Sequence, residues 1–256
     1  MINKSVLQSV INKYHLGENE SVKWNIKDNN VDIDFISPSK DVIGKVTATN
    51  FKLEDSKLAI FDTKKLLSLI NICNGDLLLE LVKNNQVFTK LKISDLNFNL
   101  DYALSDPLLI SKVGTVNIPE WVVEVDLDEE DVSNLIKAKN ALSGVDNMLI
   151  STVKNIDGDN VVEFTFGDEQ GHNNKITYQT LNKGTIIPEG ENLKLPYNSD
   201  MFKTILNANK DMDSGTLVLS SMGLMKLSFT TDYPNNNEIS YVSSEYFMVR
   251  REETNF

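Results

Sequence analysis

The 256-residue sequence predicts an α+β protein of two similar domains, each built from two helix-plus-antiparallel-sheet halves. Three observations predict it. A unit of strand, capped amphipathic helix, polar or glycine-marked stop and strand pair recurs four times along the chain. A stretch without helical period, holding Pro107, Gly114 and Pro119, separates the second unit from the third. The length suits two cores of about 100 to 150 residues each, with 41% hydrophobic residues to fill them.

The first unit lacks only a leading strand. Val6, Leu7, Val10, Ile11 and Tyr14 form the apolar side of a helix, and "SVKWNIKDNNVDIDFI" reads as a hairpin turning at Asp28-Asn29-Asn30. The second unit, "LAIFDTKKLLSLINI", supplies a strand at 58–61, the capping Asp62, and a stripe of Leu66, Leu69, Ile70 and Cys73. At 100° per residue, Lys64, Lys65, Ser68 and Asn71 fall on the other side. Gly75 provides the stop, and "LLLELVKNNQVFTKLKI" gives two strands around an Asn-Asn turn.

The third unit begins at Trp121 with a strand and an acidic cap, "DLDEED", which favours a helix N-terminus. Its helix turns Val132, Leu135, Ile136 and Leu142 inward and centres Lys137 on the polar side. Lys139 projects into the apolar stripe and must snorkel or lie beyond the packed region. The hairpin turns at Asp157-Gly158, a strong two-residue signal. The fourth unit, residues 193–231, has caps Ser199 and Asp200, apolar Met201, Phe202, Ile205 and Leu206, and Lys203 and Lys210 opposite. The expected division is a first domain at 1–106, a connector at 107–120 and a second domain at 121–256.

Composition excludes several function classes. A net charge of −12 argues against holding nucleic acid or anionic membrane by bulk attraction, so any DNA contact must come from locally placed lysines. Cys73 is the only cysteine, which rules out an intrachain disulfide and a cysteine metal cluster and fits a reducing cytoplasm. No apolar run of about 18 residues and no signal-peptide run are found, so a soluble intracellular protein with no membrane partner is expected. Only His15, at a helix end, and His172, in a polar loop, offer the usual general base. No P-loop, dinucleotide, zinc-protease or serine-hydrolase signature is present.

The carboxylates of "DIDFI" and "NIDGDN" follow strand alternation and turn chemistry, and a full calcium loop would need a terminal Glu that is missing. Trp24 is expected in the core, and Trp121 either in the core or on a pocket wall. No catalytic, cofactor or metal residue is expected, and the chain reads as no enzyme.

The sharp signal is the lysines. Lys4, Lys13, Lys64, Lys65, Lys137, Lys139, Lys203 and Lys210 fall in or beside the four helices of an otherwise acidic chain. One such helix is ordinary solvation of an exposed face. Four related ones point to a single surface laid against a polyanion.

At this point the sequence resembles the sliding clamps of DNA replication, closest to the polymerase processivity factors of large tailed bacteriophages and more distantly to proliferating cell nuclear antigen. The resemblance rests on "LAIFDTKKLLSLINICNGD", on "DYALSDPLLISKVGTVNIPEWVVEVDLDEEDVSNLI" and on the C-terminal "ISYVSSEYFMVRREETNF", and spans essentially the whole chain through the order of elements. It implies the DNA clamp fold in a ring-forming homotrimer, with helices inside and sheets outside. It implies double-stranded DNA as a sequence-independent, topological partner, faced by Lys4, Lys13, Lys64, Lys65, Lys137, Lys203 and Lys210.

It also implies a clamp loader ATPase and a DNA polymerase tethered through a short peptide. The peptide pocket would use Leu108, Ile110, Val116 and Ile118 of the connector with Tyr246 and Met248. In some phage relatives transcription proteins share that pocket, so late-transcription factors join the expected partners, and a phage-encoded chain would act in the host cytoplasm. Two features depart from the family pattern: the acidic first turn after Asp128, which would face phosphates poorly, and extra loop material in "GDEQGHNNK" and "LNKGTIIPEGEN". The competing reading is a noncatalytic viral structural or assembly protein of duplicated α+β domains, which needs no lysines on one face of every helix. A hydrolase with an unrecognised carboxylate site is the third.

Overall fold

The computed structural model describes residues 1–167, 174–180, 193–234 and 239–251. The expectations for His172 and for the 181–192 loop lie outside the described residues. The chain groups into two units, Met1–Thr115 with Thr230–Ser244, and Val116–Phe229 with Glu245–Phe256.

In the first unit the order is β1 (Ile2–Asn3), α1 (Lys4–His15), β2 (Val22–Lys27), β3 (Asn30–Ile36), β4 (Val42–Thr49), β5 (Ser56–Ile60), α2 (Thr63–Ile72), β6 (Asp76–Asn84), β7 (Val87–Ser94) and β8 (Asn99–Ala103). Its strands run β5-β2-β3-β4 in one antiparallel set and β1-β6-β7-β8 in another. The strand before α1, absent from the sequence reading, is the two-residue β1, which pairs Ile2 with Leu77. Alternation sets which face is buried: Val22, Trp24 and Ile26 of β2 and Val31, Ile33 and Phe35 of β3 all point to the core. Gly44 sits opposite Phe35, whose ring occupies the space a Cβ would take.

Asp28 and Asn29, with φ of 51° and 59°, make the left-handed turn between β2 and β3. Between β6 and β7 the positive-φ pair is Asn85-Gln86, one residue later than the Asn84-Asn85 reading, because β6 keeps its pairing through Asn84.

After a short 3-10 turn at Pro107–Leu109 and an irregular stretch, the second unit gives β9 (Trp121–Leu127), α3 (Glu129–Ala141), β10 (Asn147–Lys154), β11 (Asn160–Gly167), β12 (Lys175–Thr180), β13 (Lys194–Asn198), α4 (Ser199–Ala208), β14 (Ser214–Ser220), β15 (Leu224–Asp232) and β16 (Tyr241–Val249). The strands run β12-β11-β10-β13 and β16-β15-β14-β9. Phe164, Phe166, Tyr197, Phe202 and Phe229 fill this core. Its α4 starts one residue earlier than read, with Asn198 as the cap, its Oδ1 accepting from the backbone of Asp200 and Met201. Asp128 caps α3 in a reciprocal box with Asp131, as the acidic run predicts.

The two units repeat one packing scheme: α1 lies against α2 in the first, and α3 against α4 in the second. Cys73 is buried, as its place after the apolar stripe requires. His15, at the end of α1, is also buried, its Nδ1 donating to the Asn19 carbonyl at 3.1 Å. Among the described residues no helix is long and apolar enough to cross a membrane, and no three His, Cys, Asp or Glu side chains stand together to hold a metal ion.

Candidate nucleic-acid interface

The helix lysines divide into two sets by what their ammonium groups meet. Lys64 and Lys65 follow the Asp62 cap directly and are exposed at the start of α2. Their backbone amides are held, Lys64 N–H donating to Glu20 Oε2 at 2.9 Å and Lys65 N–H to Asp62 Oδ1 at 2.8 Å. Tyr102 adds a third tie, its hydroxyl accepting from Asp62 N–H at 3.0 Å. Carboxylates at a helix N-terminus suit its positive end, so the turn is rigid while the two side chains stay free to meet solvent or phosphate.

In the second unit, exposed Lys137 of α3 and Lys210 just after α4 line one groove of about 360 Å³, floored by Val132, Ile136 and Met212. Their sequence separation hides this convergence. Lys203 on α4 is half-buried.

The second set is occupied. Lys4 Nζ donates to the carbonyls of Asn71 at 2.8 Å and Cys73 at 2.6 Å, closing the C-terminal end of α2. Lys13 is only 1% exposed and so presents no charge to a ligand at the surface. Lys139 is equally buried; its Nζ donates to the carbonyls of Ser143 at 3.1 Å and Val145 at 2.7 Å and pairs with Asp200 Oδ1 at 3.0 Å. The seven-lysine DNA face read from sequence is therefore corrected at two positions: Lys13 is buried, and Lys4 is committed to a helix end. Lys4 serves carbonyls at the C-terminal end of α2, whereas Lys139 serves carbonyls of the turn beyond α3.

The acidic first turn of α3 stays exposed at Asp128, Glu129 and Glu130, and these line an open depression with Ser133, Asn134 and Lys137. Asp131 turns inward instead and accepts from the Tyr178 hydroxyl of β12 at 2.7 Å. Burial, and then the bond to that carboxylate, push the Tyr178 hydroxyl up to about 12. Tyr178 thus stays a neutral donor that ties the edge strand to α3. Neither this residue nor Glu20 carries a sequence signature.

Asp95 makes the corresponding tie at the far end of α2. It accepts from the backbone N–H groups of Asn74, Phe98 and Asn97, and these bonds hold its carboxyl below the usual range. A depressed folded-state value means the stabilisation is present above the unfolded pKa of about 3.9 and is lost as pH falls through the folded value. Acid titration of Asp95→Asn is therefore expected to show a smaller loss of stability below about pH 4 than the parent chain. An identical acid limb would remove Asp95 from the account.

The expected peptide pocket is only partly on the surface. Leu108 and Ile118 are 89% and 60% exposed, Val116 is half-buried, and Ile110 is buried. Tyr246 and Met248 are core residues, at 0% and 1% exposure, because both lie on the inward face of β16. The Tyr246 hydroxyl accepts from Asn209 Nδ2 at 3.0 Å, anchoring the end of α4.

Comparison with solved structures decides the architecture. The chain is similar to PCNA of A. fulgidus, solved with the C-terminal region of FEN-1 bound, at TM-score 0.75 and 15% identity over 99% of this chain and 100% of that one. The clamp fold is shown. PCNA from Entamoeba histolytica matches at TM-score 0.71 and 13% identity over 98% of this chain and 96% of its own. The PCNA2-PCNA3 complex from Sulfolobus tokodaii matches at 0.71 and 14% over 99% and 98%. No protein-family model matches the chain, and no curated protein matches it by sequence. The clamp fold is thus shared with these structures at 13 to 15% identity.

Proposed function

We propose that the chain is a sliding clamp: a ring of three copies that encircles duplex DNA and tethers a polymerase, placed there by a loader ATPase. The observation that carries this reading is the exposed set Lys64, Lys65, Lys137 and Lys210, with half-buried Lys203, on or beside helices of a clamp fold whose chain is otherwise strongly acidic. Lysines set on rigid helices neutralise phosphates without reading bases, which suits motion along DNA. The chain itself makes and breaks no bond. Its effect on the polymerase is a raised local concentration at the primer end.

Ring closure needs two complementary edges. Among the described residues β8 pairs only with β7 and β12 only with β11, leaving one row of backbone groups open on each. Helix α2 packs on β8 and α3 on β12. Joining β8 of one copy to β12 of the next brings α2 of one to the seam with α3 of the other.

A partner peptide then has the exposed connector residues Leu108 and Ile118, with half-buried Val116, to dock on. Bacteriophage origin, action in the host cytoplasm and shared use by late-transcription factors complete the reading, on the sequence resemblance alone. Light scattering tests the assembly. The expected mass is three times the 28.8 kDa of one chain, and a monomer at micromolar concentration would count against the ring.

A further inference from the structure

The sequence holds one Asn-Gly pair, Asn74-Gly75. It lies in the irregular step between the end of α2 and the start of β6, and both residues are exposed. Gly75 has φ of 66°, and nothing stands within 4 Å of the point a Cβ would occupy. The backbone here is tied at two points: Asn74 N–H donates to Asp95 Oδ2 at 2.6 Å, and the Gly75 carbonyl accepts from Lys4 N–H at 3.1 Å. Between those ties, among the described residues, neither the Asn74 side-chain amide nor the Gly75 N–H has a hydrogen-bond partner.

An unbonded asparagine amide followed by an unbonded, unshielded backbone nitrogen is a reactive arrangement, because that nitrogen can close a five-membered ring on the side-chain Cγ. At most positions the next side chain hinders the approach; glycine carries none. Asn29 and Asn85 supply the contrast. Both are exposed turn residues with positive φ, but Asn30 and Gln86 follow them.

We infer that Asn74 is a site of spontaneous deamidation through a cyclic imide, whatever the chain binds. Gly75 N bonds to Asn74 Cγ as the Cγ–Nδ2 bond breaks; the Gly75 proton passes to solvent, and Nδ2 takes up a proton and leaves as ammonia. Water then opens the imide at either carbonyl, leaving aspartate or isoaspartate at position 74. Both products set a new carboxylate beside that of Asp95, which accepts from the Asn74 N–H. Isoaspartate also adds one methylene to the main chain between the Asp95 tie and the Lys4 tie. Asn3 pairs with Asp76 just beyond, and Lys4 Nζ holds the Cys73 carbonyl just before. The modification therefore loosens the β1–β6 pairing and the closed end of α2, at the opposite end of that helix from Lys64 and Lys65.

Ageing the intact chain at mildly alkaline pH, followed by peptide mass spectrometry, tests this. Position 74 is expected to gain the mass of an amide-to-acid change several-fold faster than Asn29 and Asn85, with isoaspartate among the products. Conversion of Asn29 or Asn85 at the same rate would overturn the assignment. Ageing in guanidinium chloride separates fold from sequence: the folded chain is expected to convert at a rate comparable to the unfolded one. Conversion only in denaturant would show that the two ties hold ring closure out of reach, and would overturn the inference. Asn74→Gln keeps an amide but would need a six-membered ring, so the fast conversion is expected to be lost. An unchanged rate of mass gain in the peptide spanning this position would place the reaction elsewhere and overturn it too.

Discussion

A variant carrying Lys64→Ala, Lys65→Ala, Lys137→Ala and Lys210→Ala is expected to hold duplex DNA with a much shallower dependence on salt than the parent chain. Each phosphate that is no longer neutralised lowers the slope of log affinity against log salt by about 0.9, because one condensed counterion fewer is released. These four are chosen because all are exposed and lie on or beside the two helix pairs. Lys4→Ala is the matched control: it removes the same kind of charge from the chain, yet its ammonium already serves the Asn71 and Cys73 carbonyls. Affinity measured across a salt series separates the two. An unchanged slope in the fourfold variant would remove these lysines from the DNA surface.

The second large effect is on stability. Lys139→Ala is expected to cost about 2 to 4 kcal/mol, since it leaves a cavity in the α3 packing and strips the donor from two carbonyls. Those carbonyls, of Ser143 and Val145, belong to the turn that leads into β10. Lys139→Met refills the volume and isolates the polar share, expected at about 1 to 3 kcal/mol. Asp200→Asn should cost less than about 1 kcal/mol, because that carboxylate is 58% exposed and well screened. Urea unfolding of the three variants checks the order, and an Asp200 effect as large as that of Lys139→Met would show that the ion pair, not the carbonyl bonds, holds the turn.

The helices and hairpins are legible in the sequence because their periodicity is a local property. Val6, Leu7, Val10 and Ile11, or Met201, Phe202, Ile205 and Leu206, are read off one element and all prove buried. Lysine roles are less legible, because a four-carbon stem lets the ammonium choose between water and a carbonyl several residues away. The partners of Lys4 are 67 and 69 residues distant, which no helical projection can reveal. Lys139 stands out by its place in the apolar stripe, but its acceptors lie past the helix end. The pocket assignment of Tyr246 and Met248 fails for a simpler reason: on a strand, residues two apart share a face, and on β16 that face is the core. Three capping residues in succession, Asn198, Ser199 and Asp200, leave the start of α4 ambiguous by one position.

On the proposed clamp reading, the negative charge of the chain and the lysines on its helices make one physical statement: contact with DNA is local and non-sequence-specific, so lasting retention must come from topology. Retention on nicked circular duplex DNA, followed by linearisation of the same circle, tests that claim most directly. The account predicts that loaded protein stays with the closed circle through gel filtration and departs once the DNA has ends to slide from. Equal retention on circular and linear DNA would contradict it.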